Sequence, residues 1–149
     1  MIEQNKVTIW QMFKTIEQNG FTAQSEFFAD HLINHGIPVN RDMVRAILQD
    51  ILNTFPDVKM APLHIVAEGD WVVARCMLSG THKGIGQSPF VHEGLLAGVP
   101  PTGKNFKTEH IHMFRMEDGL IVEHWAARND VGMARQLGLL PEAAISTAG

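Results

Sequence analysis

The sequence predicts an α+β fold in which helices come first and an antiparallel sheet follows. Before residue 57, apolar side chains recur every three to four positions, which is the period of an amphipathic helix. From about Lys59 onward they alternate with polar side chains, which is the period of a strand. Helices followed by a run of strands are typical of a curved antiparallel sheet with helices packed on one side.

Composition indicates one globular domain over residues 1–149, without a repeat, low-complexity segment or linker. Apolar residues make up 45% and charged residues 19% of the chain, which is ordinary for a globular protein. The net charge of −4 predicts no nucleic-acid partner, because phosphate binding requires a basic surface. No apolar run approaches the roughly 20 residues that span a bilayer, so we expect no membrane segment.

The first residues and the cysteine content favour a cytoplasmic location. The opening MIEQNK is polar and partly acidic, unlike the basic and then apolar plan of a secretory signal. Cys76 is the only cysteine, so no internal disulfide can form.

Three helices are predicted before the sheet. The first has an apolar face of Val7, Trp10, Phe13 and Ile16 and stops at Asn19-Gly20. The second is predicted over residues 22–35, and its apolar residues are Phe27, Phe28, Leu32 and Ile33. The third begins after Asn40, a good N-cap, and ends before Pro56. Its apolar stripe consists of Val44, Ile47, Leu48, Ile51 and Leu52.

Two strands are predicted next, over residues 63–67 and 71–81, joined at Glu68-Gly69-Asp70. One face of the longer strand consists of Val72, Ala74, Cys76, Leu78 and His82. The turn permits two registers, so whether His64 shares that face stays open. Residues 84–103 contain many glycines and prolines and no period. A loop of this length is usually functional or mobile, and it is suited to covering the mouth of a pocket.

Residues 105–128 predict a hairpin around Glu117-Asp118-Gly119, followed by a short helix. We favour a three-residue loop with Gly119 in the left-handed region, where glycine has no steric penalty. The paired residues are then Met116 and Leu120, Phe114 and Val122, His112 and His124, and His110 and Ala126. A two-residue Asp118-Gly119 turn is the alternative, and it would shift the register by one residue.

This register gathers the histidines on one face of the hairpin, because side chains alternate along a strand. That face consists of His110, His112, Phe114, Val122, His124 and Ala126, and a regular strand end would add Arg128 and Asp130. The other face consists of Ile111, Met113, Arg115, Ile121, Glu123 and Trp125. Ionisable groups among large apolar side chains predict a pocket, with His82, His110, His124 and Phe114 as substrate-binding residues.

Several motifs in this order resemble the SnoaL-like polyketide cyclases, or ester cyclases, from about Val7 to Pro141. They are Phe55-Pro56-Asp57, Glu68-Gly69-Asp70, Gly80-Thr81-His82-Lys83-Gly84, Pro100-Pro101-Thr102-Gly103-Lys104, Phe114-Arg115, Glu117-Asp118-Gly119, Glu123-His124-Trp125, Asp130 and Gln136-Leu137-Gly138. The resemblance implies a nuclear-transport-factor-2-like cone, in which three N-terminal helices pack on a strongly curved antiparallel sheet and enclose a pocket. It also implies a homodimer through the outer sheet face, where Ile111, Met113 and Trp125 would supply apolar area.

The resemblance further implies an intramolecular aldol ring closure without metal or cofactor, by an aspartate and a nearby histidine. Asp130 and His112 match those two catalytic positions best. Such a reaction removes a proton next to a carbonyl and stabilises an enolate. An apolar pocket would raise the pKa of Asp130 and make it a stronger base. Histidines would donate hydrogen bonds to the developing charge. The expected substrate is a small, bulky, apolar or aromatic molecule such as a polyketide ester.

Other interpretations remain open at this stage. Asp130 is well placed to cap the last helix, and His31 and His35 have the helical spacing of a zinc pair but no third ligand. We therefore expect no metal. The same fold also accommodates a non-catalytic small-molecule binding protein, or an isomerase, dehydratase or epoxide hydrolase.

Overall fold

The computed structural model describes residues 2–141 and confirms the α+β class. The elements are α1 (Ile2–Asn19), a 3₁₀ helix (Phe21–Phe27), β1 (Phe28–Asn34), β2 (Ile37–Asn40), α2 (Arg41–Thr54), β3 (Lys59–Glu68), β4 (Trp71–Thr81), β5 (Asn105–Glu117), β6 (Leu120–Arg128) and α3 (Asp130–Gln136). The strands form one sheet in the order β2-β1-β6-β5-β4-β3. Neither α1 nor any other helix within residues 2–141 is both long and apolar enough to cross a membrane.

The helices bury one face of this sheet, called the inner face below. Helix α1 lies against β3 and β4, while α2 lies against the 3₁₀ helix and β1. The predicted stripe of α1 is partly wrong: Val7 and Trp10 are exposed, and the buried residues are Asn5, Ile9, Met12, Phe13 and Ile16. The start of α2 is confirmed, since Asn40 Oδ1 accepts a hydrogen bond of 2.8 Å from the Met43 amide.

The predicted second helix is wrong. Its segment forms the 3₁₀ helix and the strand β1, which turns through His35-Gly36 into β2. Both turn residues have positive φ, at 51° and 79°, as a two-residue hairpin turn requires. Strand β1 also runs parallel to β6. Pairing with β6 outweighs local helical preference here, so the sheet is mixed rather than purely antiparallel and only two α-helices precede β3.

Strands β3 and β4 confirm the predicted pairing and the predicted inner face. Val72, Ala74, Cys76 and Leu78 are buried, and His82 follows on the same side at 0% exposure. His64 lies on the outer face, where its Nδ1 is 3.3 Å from Arg75 Nη1. Arg75 also donates two hydrogen bonds to Glu109, of 3.0 and 3.1 Å.

The β5–β6 hairpin has a different turn and register from the favoured ones. The turn is the two-residue alternative, Asp118-Gly119, and Glu117 pairs with Leu120. Val122 is then left unpaired as a β-bulge, so that Phe114 faces His124 and His112 faces Ala126. The shorter turn moves the pairing by one position relative to the prediction and the bulged residue by one more, so that beyond the bulge the shift is two positions. His110, His112, Phe114 and His124 therefore still share the inner face, while Ile121 is buried rather than on the outer face.

Residues 84–103 form a folded loop tied to the end of α2. The carboxylate of Asp50 accepts hydrogen bonds from the amides of Gln87, at 2.9 Å, and Ser88, at 3.2 Å. The Thr54 carbonyl accepts from Lys83 and Gly84, both at 3.1 Å. A short 3₁₀ turn (Val91–Gly94) forms the tip of the loop, and the ring of its His92 lies 6.1 Å from that of His110 in β5.

Candidate active site

The first residue of α3 brings a carboxylate to the tip of the loop. Asp130 Oδ1 lies 2.9 Å from Nδ1 of His92. Asn129, not Asp130, caps the helix, because its Oδ1 accepts a hydrogen bond of 2.9 Å from the Gly132 amide. The capping role considered for Asp130 is therefore taken by its neighbour, and the Asp130 carboxylate is available to His92.

Arg128 is the third member of this group. It is the last residue of β6, pairs with His110 across the hairpin, and places Nε 3.5 Å from Asp130 Oδ1. Its side chain is only 18% exposed, and Nε is buried without a hydrogen-bond partner within residues 2–141. A guanidinium that is largely buried and partly unpaired is suited to binding an anionic oxygen.

His92 has an unusual backbone and an unpartnered nitrogen. It and Glu93 both have positive φ, at 48° and 55°, a conformation that is uncommon and costly for residues other than glycine. The side chain is 3% exposed, and Nε2 is buried with no hydrogen-bond partner among the described residues. When this ring is neutral and its Nδ1 donates to the Asp130 carboxylate, Nε2 carries the lone pair.

The His92–Asp130 pair borders an open cleft of about 220 Å³. The other residues that line it are Glu93, Leu95, Val131, Ala134 and Leu140. A larger cleft of about 450 Å³ lies elsewhere, beside Asp57, Thr81 and Lys107. The Asp57 carboxylate there already accepts hydrogen bonds from the amide and the hydroxyl of Thr81, both at 2.7 Å. The smaller cleft is therefore the one that combines an unpartnered buried base with a carboxylate.

Behind the pair, three imidazoles form a hydrogen-bonded chain along the inner face. His110 Nδ1 is 3.3 Å from His112 Nε2, and His112 Nδ1 is 2.9 Å from His124 Nε2. His124 Nδ1 is 2.8 Å from Asn34 Oδ1 at the end of β1. The rings of His112, His124 and Phe114 are stacked, with centroids 5.2 to 5.9 Å apart. At its other end, the ring of His110 lies 6.1 Å from that of His92.

Burial keeps these three rings neutral. Desolvation lowers the pKa of His110 to about 3, and the positive charges of Arg128 and of His92, when that ring is protonated, act in the same direction. Desolvation likewise lowers the pKa of His112 to about 3. It also holds the pKa of His124 well below the usual value. Neutral rings carry one proton each, which lets every ring donate to one neighbour and accept from the other.

The ionisation of Asp130 differs from the sequence-based expectation. Desolvation does act to raise its pKa, but the hydrogen bond from His92 and the charges of His92 and Arg128 oppose it, and the net pKa is lowered. The expectation considered an apolar pocket alone and did not include these two cationic or hydrogen-bonding neighbours. Asp130 is consequently a stable carboxylate and a weaker base than a carboxyl in an apolar pocket.

The predicted site residues fall into three environments. Asp130 belongs to the group at the cleft and His110 lies beside it, while His112, His124 and Phe114 form the interior behind it. Both ring nitrogens of His112 are engaged by its neighbours, so neither is free for a ligand. His82 is separate from this chain, since its Nδ1 accepts from the Thr102 amide at 3.2 Å and its ring packs beside Phe55.

Sequence reasoning missed His92 and Asn34. The loop around His92 has no period, so only its unusual length signalled a function. Asn34 was assigned to a helix that does not form. The helical spacing considered for His31 and His35 disappears with the same helix, because His31 lies in β1 and His35 in the turn. Within residues 2–141, no group of three or more His, Cys, Asp or Glu side chains is arranged to hold a metal ion.

The fold and the order of its motifs agree with comparisons to known proteins. The sequence model of the SnoaL-like polyketide cyclase family matches residues 8–137. The chain belongs to this family. Its α+β architecture is accordingly that of the nuclear-transport-factor-2-like fold.

Individual relatives and solved structures show how far the similarity extends. Nogalonic acid methyl ester cyclase of Streptomyces nogalater is 30% identical over 107 residues, which are 71% of this chain and 72% of that protein. The structure of wild-type IdmH from Streptomyces antibioticus is 30% identical, with a TM-score of 0.70 over 91% of this chain and 99% of that one. The structure of AclR from Streptomyces galilaeus, described as a putative hydroxylase, is 23% identical with a TM-score of 0.74 over 96% of this chain and 86% of that one, and it shows the shared fold alone.

Proposed function

We propose that this SnoaL-like protein is an ester cyclase that closes a ring in a bulky, mostly apolar polyketide ester by intramolecular aldol addition, without a cofactor. The observation that carries the proposal is the His92–Asp130 hydrogen bond of 2.9 Å at the edge of a cleft. The relative from Streptomyces nogalater is named as a cyclase of an acid methyl ester, which gives the substrate class.

The proposed reaction moves one proton and forms one carbon–carbon bond. A base removes a proton from carbon next to a carbonyl, and the resulting enolate carbon attacks a second carbonyl of the same molecule. The alkoxide formed at that second carbonyl takes the proton back, so no atom is gained or lost. A cofactor is not required for this balance, and the protein supplies a base, charge stabilisation and a shape that brings the two carbonyls together.

His92 is the better placed base of the pair. Its Nε2 carries the lone pair and has no partner within the described residues, whereas Asp130 is held as a low-pKa carboxylate by His92 and Arg128. Asp130 then fixes the tautomer of His92 and stabilises the imidazolium that forms. In this scheme the predicted aspartate remains essential, but the proton resides on the histidine that the loop supplies.

Arg128 is the candidate for stabilising the negative charge. Its largely buried Nε lies 3.5 Å from Asp130 Oδ1 and has no hydrogen-bond partner among the described residues, so we propose that the guanidinium binds an enolate or alkoxide oxygen. The rim of the cleft is apolar, because Leu95, Val131 and Leu140 are 40%, 53% and 43% exposed. An apolar rim around a polar centre fits a bulky substrate that presents a few carbonyl groups.

Turnover of nogalonic acid methyl ester by purified protein tests the proposal. We expect His92→Gln and Asp130→Asn each to lower kcat by about 10²- to 10⁴-fold, the usual range for loss of an acid/base group or its orienting carboxylate. His64→Gln, on the exposed outer face, is the matched control and should retain full activity. Tight binding of the ester by wild-type protein without any conversion would instead establish a binding protein.

We also propose a homodimer formed through the outer sheet face. Ile111, Met113 and Trp125 are 39–42% exposed there, and Met113 pairs with Trp125 on one side and Val73 on the other. These side chains form a continuous apolar strip on adjacent strands, which a second copy of the same strip would cover. Light scattering should give a dimer mass for wild type and for Val7→Lys on α1, and a monomer mass for Met113→Lys. A wild-type monomer at micromolar concentration would refute the proposal.

A further inference from the structure

The side-chain amide of Asn34, the last residue of β1, lies at one end of the imidazole chain, and His110 lies at the other end, beside the cleft. Its Oδ1 is 2.8 Å from His124 Nδ1, and the chain continues through His112 to His110. An amide oxygen only accepts hydrogen bonds. His124 must therefore carry its proton on Nδ1, which leaves Nε2 bare.

The same constraint passes from ring to ring. The bare Nε2 of His124 accepts from Nδ1 of His112 at 2.9 Å, so that ring also carries its proton on Nδ1. Its own Nε2 is then bare and accepts from Nδ1 of His110 at 3.3 Å. Because each neutral ring holds one proton, the direction of every hydrogen bond follows from the first one.

We propose that Asn34 is a positioning residue that fixes the tautomers of His124, His112 and His110, so that His110 presents a bare Nε2 beside the His92–Asp130 pair. In a five-membered imidazole ring the two nitrogens point to different sides. Since Nδ1 of His110 is directed at His112, Nε2 is the nitrogen left for the cleft side. His110 is thereby an acceptor for a substrate hydroxyl or for protonated His92, and not a donor.

The charge of Arg128 at the cleft end of the chain also favours a bare Nε2 on His110. Arg128 is opposite His110 across the hairpin, and the ring of His92 lies 6.1 Å away. A lone pair on Nε2 is attracted to the guanidinium, whereas an N–H there would be repelled by it. The other ionisable groups near the chain are His35 at the Asn34 end, Asp130 at the cleft end, and Cys76, which pairs with His110 from β4. Burial raises the pKa of Cys76 to about 12, so its thiol stays neutral.

The catalytic consequence rests on the proposed function, but the tautomers do not. Nitrogen NMR of ¹⁵N-histidine-labelled protein distinguishes a protonated ring nitrogen from a bare one. In wild type we expect Nδ1–H and bare Nε2 for all three rings, with the exposed ring of His31 as an internal reference in the same spectrum. The reverse pattern, Nε2–H on all three rings, would overturn the proposal whether or not the protein turns over any ester.

Two variants at the same position complete the test. Asn34→Leu has a similar shape but no acceptor, and we expect its three rings to lose the uniform Nδ1–H pattern. Asn34→Asp retains an oxygen acceptor and should retain Nδ1–H on His124, so it controls for loss of fold. If turnover is found in wild type, Asn34→Leu should lower kcat about tenfold or more with little change in KM, because an incorrect tautomer impairs a histidine that is otherwise in place. An unchanged spectrum in folded Asn34→Leu would refute the positioning role.

Discussion

Acidification from pH 7 to pH 5 should destabilise the fold, because the buried imidazole chain stays neutral while the same rings are protonated in the unfolded chain. His110 and His112 have a pKa of about 3 in the folded protein and an ordinary value of 6.5 when exposed. Below pH 6.5 the unfolded chain therefore binds protons that the folded chain excludes. The contribution of these rings to the free energy of unfolding is fully present above about pH 6.5 and is lost progressively as the pH falls toward 3.

The size of the loss follows from these pKa values. At pH 5 a ring with a pKa of 6.5 in the unfolded chain and about 3 in the folded protein removes about 2 kcal/mol from the free energy of unfolding. Two such rings remove about 4 kcal/mol, and His124 acts in the same direction. Typical domains have only about 5 to 15 kcal/mol in total, so we expect acid unfolding to begin near pH 5.

Urea denaturation followed by tryptophan fluorescence at pH 7, 6 and 5 measures this loss. Replacing one titrating ring by a ring of similar shape, His112→Phe, should reduce the loss between pH 7 and pH 5 by about 2 kcal/mol, whatever the stability at pH 7. His64→Gln, which alters an exposed outer-face residue, should follow wild type. A free energy of unfolding that is the same at pH 7 and pH 5, or a His112→Phe variant with the wild-type loss, would refute the neutral buried chain.

Further predictions concern the loop, a helix cap and the site charge. A Cβ at Gly84 would lie 1.9 Å from a backbone oxygen of α2, so Gly84→Ala should prevent stable folding. A Cβ at Gly98, whose φ is 73°, would meet no atom of residues 2–141 within 4 Å, so Gly98→Ala should lower the free energy of unfolding by only about 1 kcal/mol, measured by thermal melting. Asn40→Ala should lower the free energy of unfolding by about 1 kcal/mol in urea, through loss of its N-cap bond. Arg128→Leu should raise the pKa of Asp130, measured by carboxyl carbon NMR, because the guanidinium charge helps to hold it down.

The sequence was most informative where period and turn chemistry agreed. The stripe and cap of α2 and the alternating face of β4 follow directly from apolar spacing, since each buries one side against the core. The inner face of the hairpin was also recognised, although by an incorrect register. Side chains alternate between the two faces of a strand, so a register shift of one residue would exchange the faces. A shift of two residues, as found here, leaves the same side chains facing inward.

Long-range contacts account for the rest. Strand β1 exists because β6 pairs with it, and no local pattern in residues 28–34 shows that partner. His92 reaches Asp130 through a loop whose course depends on the Asp50 carboxylate of α2 and on the close approach of Gly84 to the end of that helix. The lowered pKa of Asp130 arises from neighbours that come from the loop and from β6, which spacing along the chain cannot place.

The bulge at Val122 gives the hairpin tolerance to a change in length at one place. Removing Val122 would leave Ile121 opposite Met116 and Glu123 opposite Arg115, as they are now, and only the irregularity would disappear. A single deletion between Glu123 and Arg128 would instead exchange the inner and outer faces of the strand beyond it. The imidazole of His124 would then face outward, or the indole of Trp125 inward. Natural or engineered shortening of this hairpin should therefore be found at positions 121–122, and elsewhere along β6 only two residues at a time.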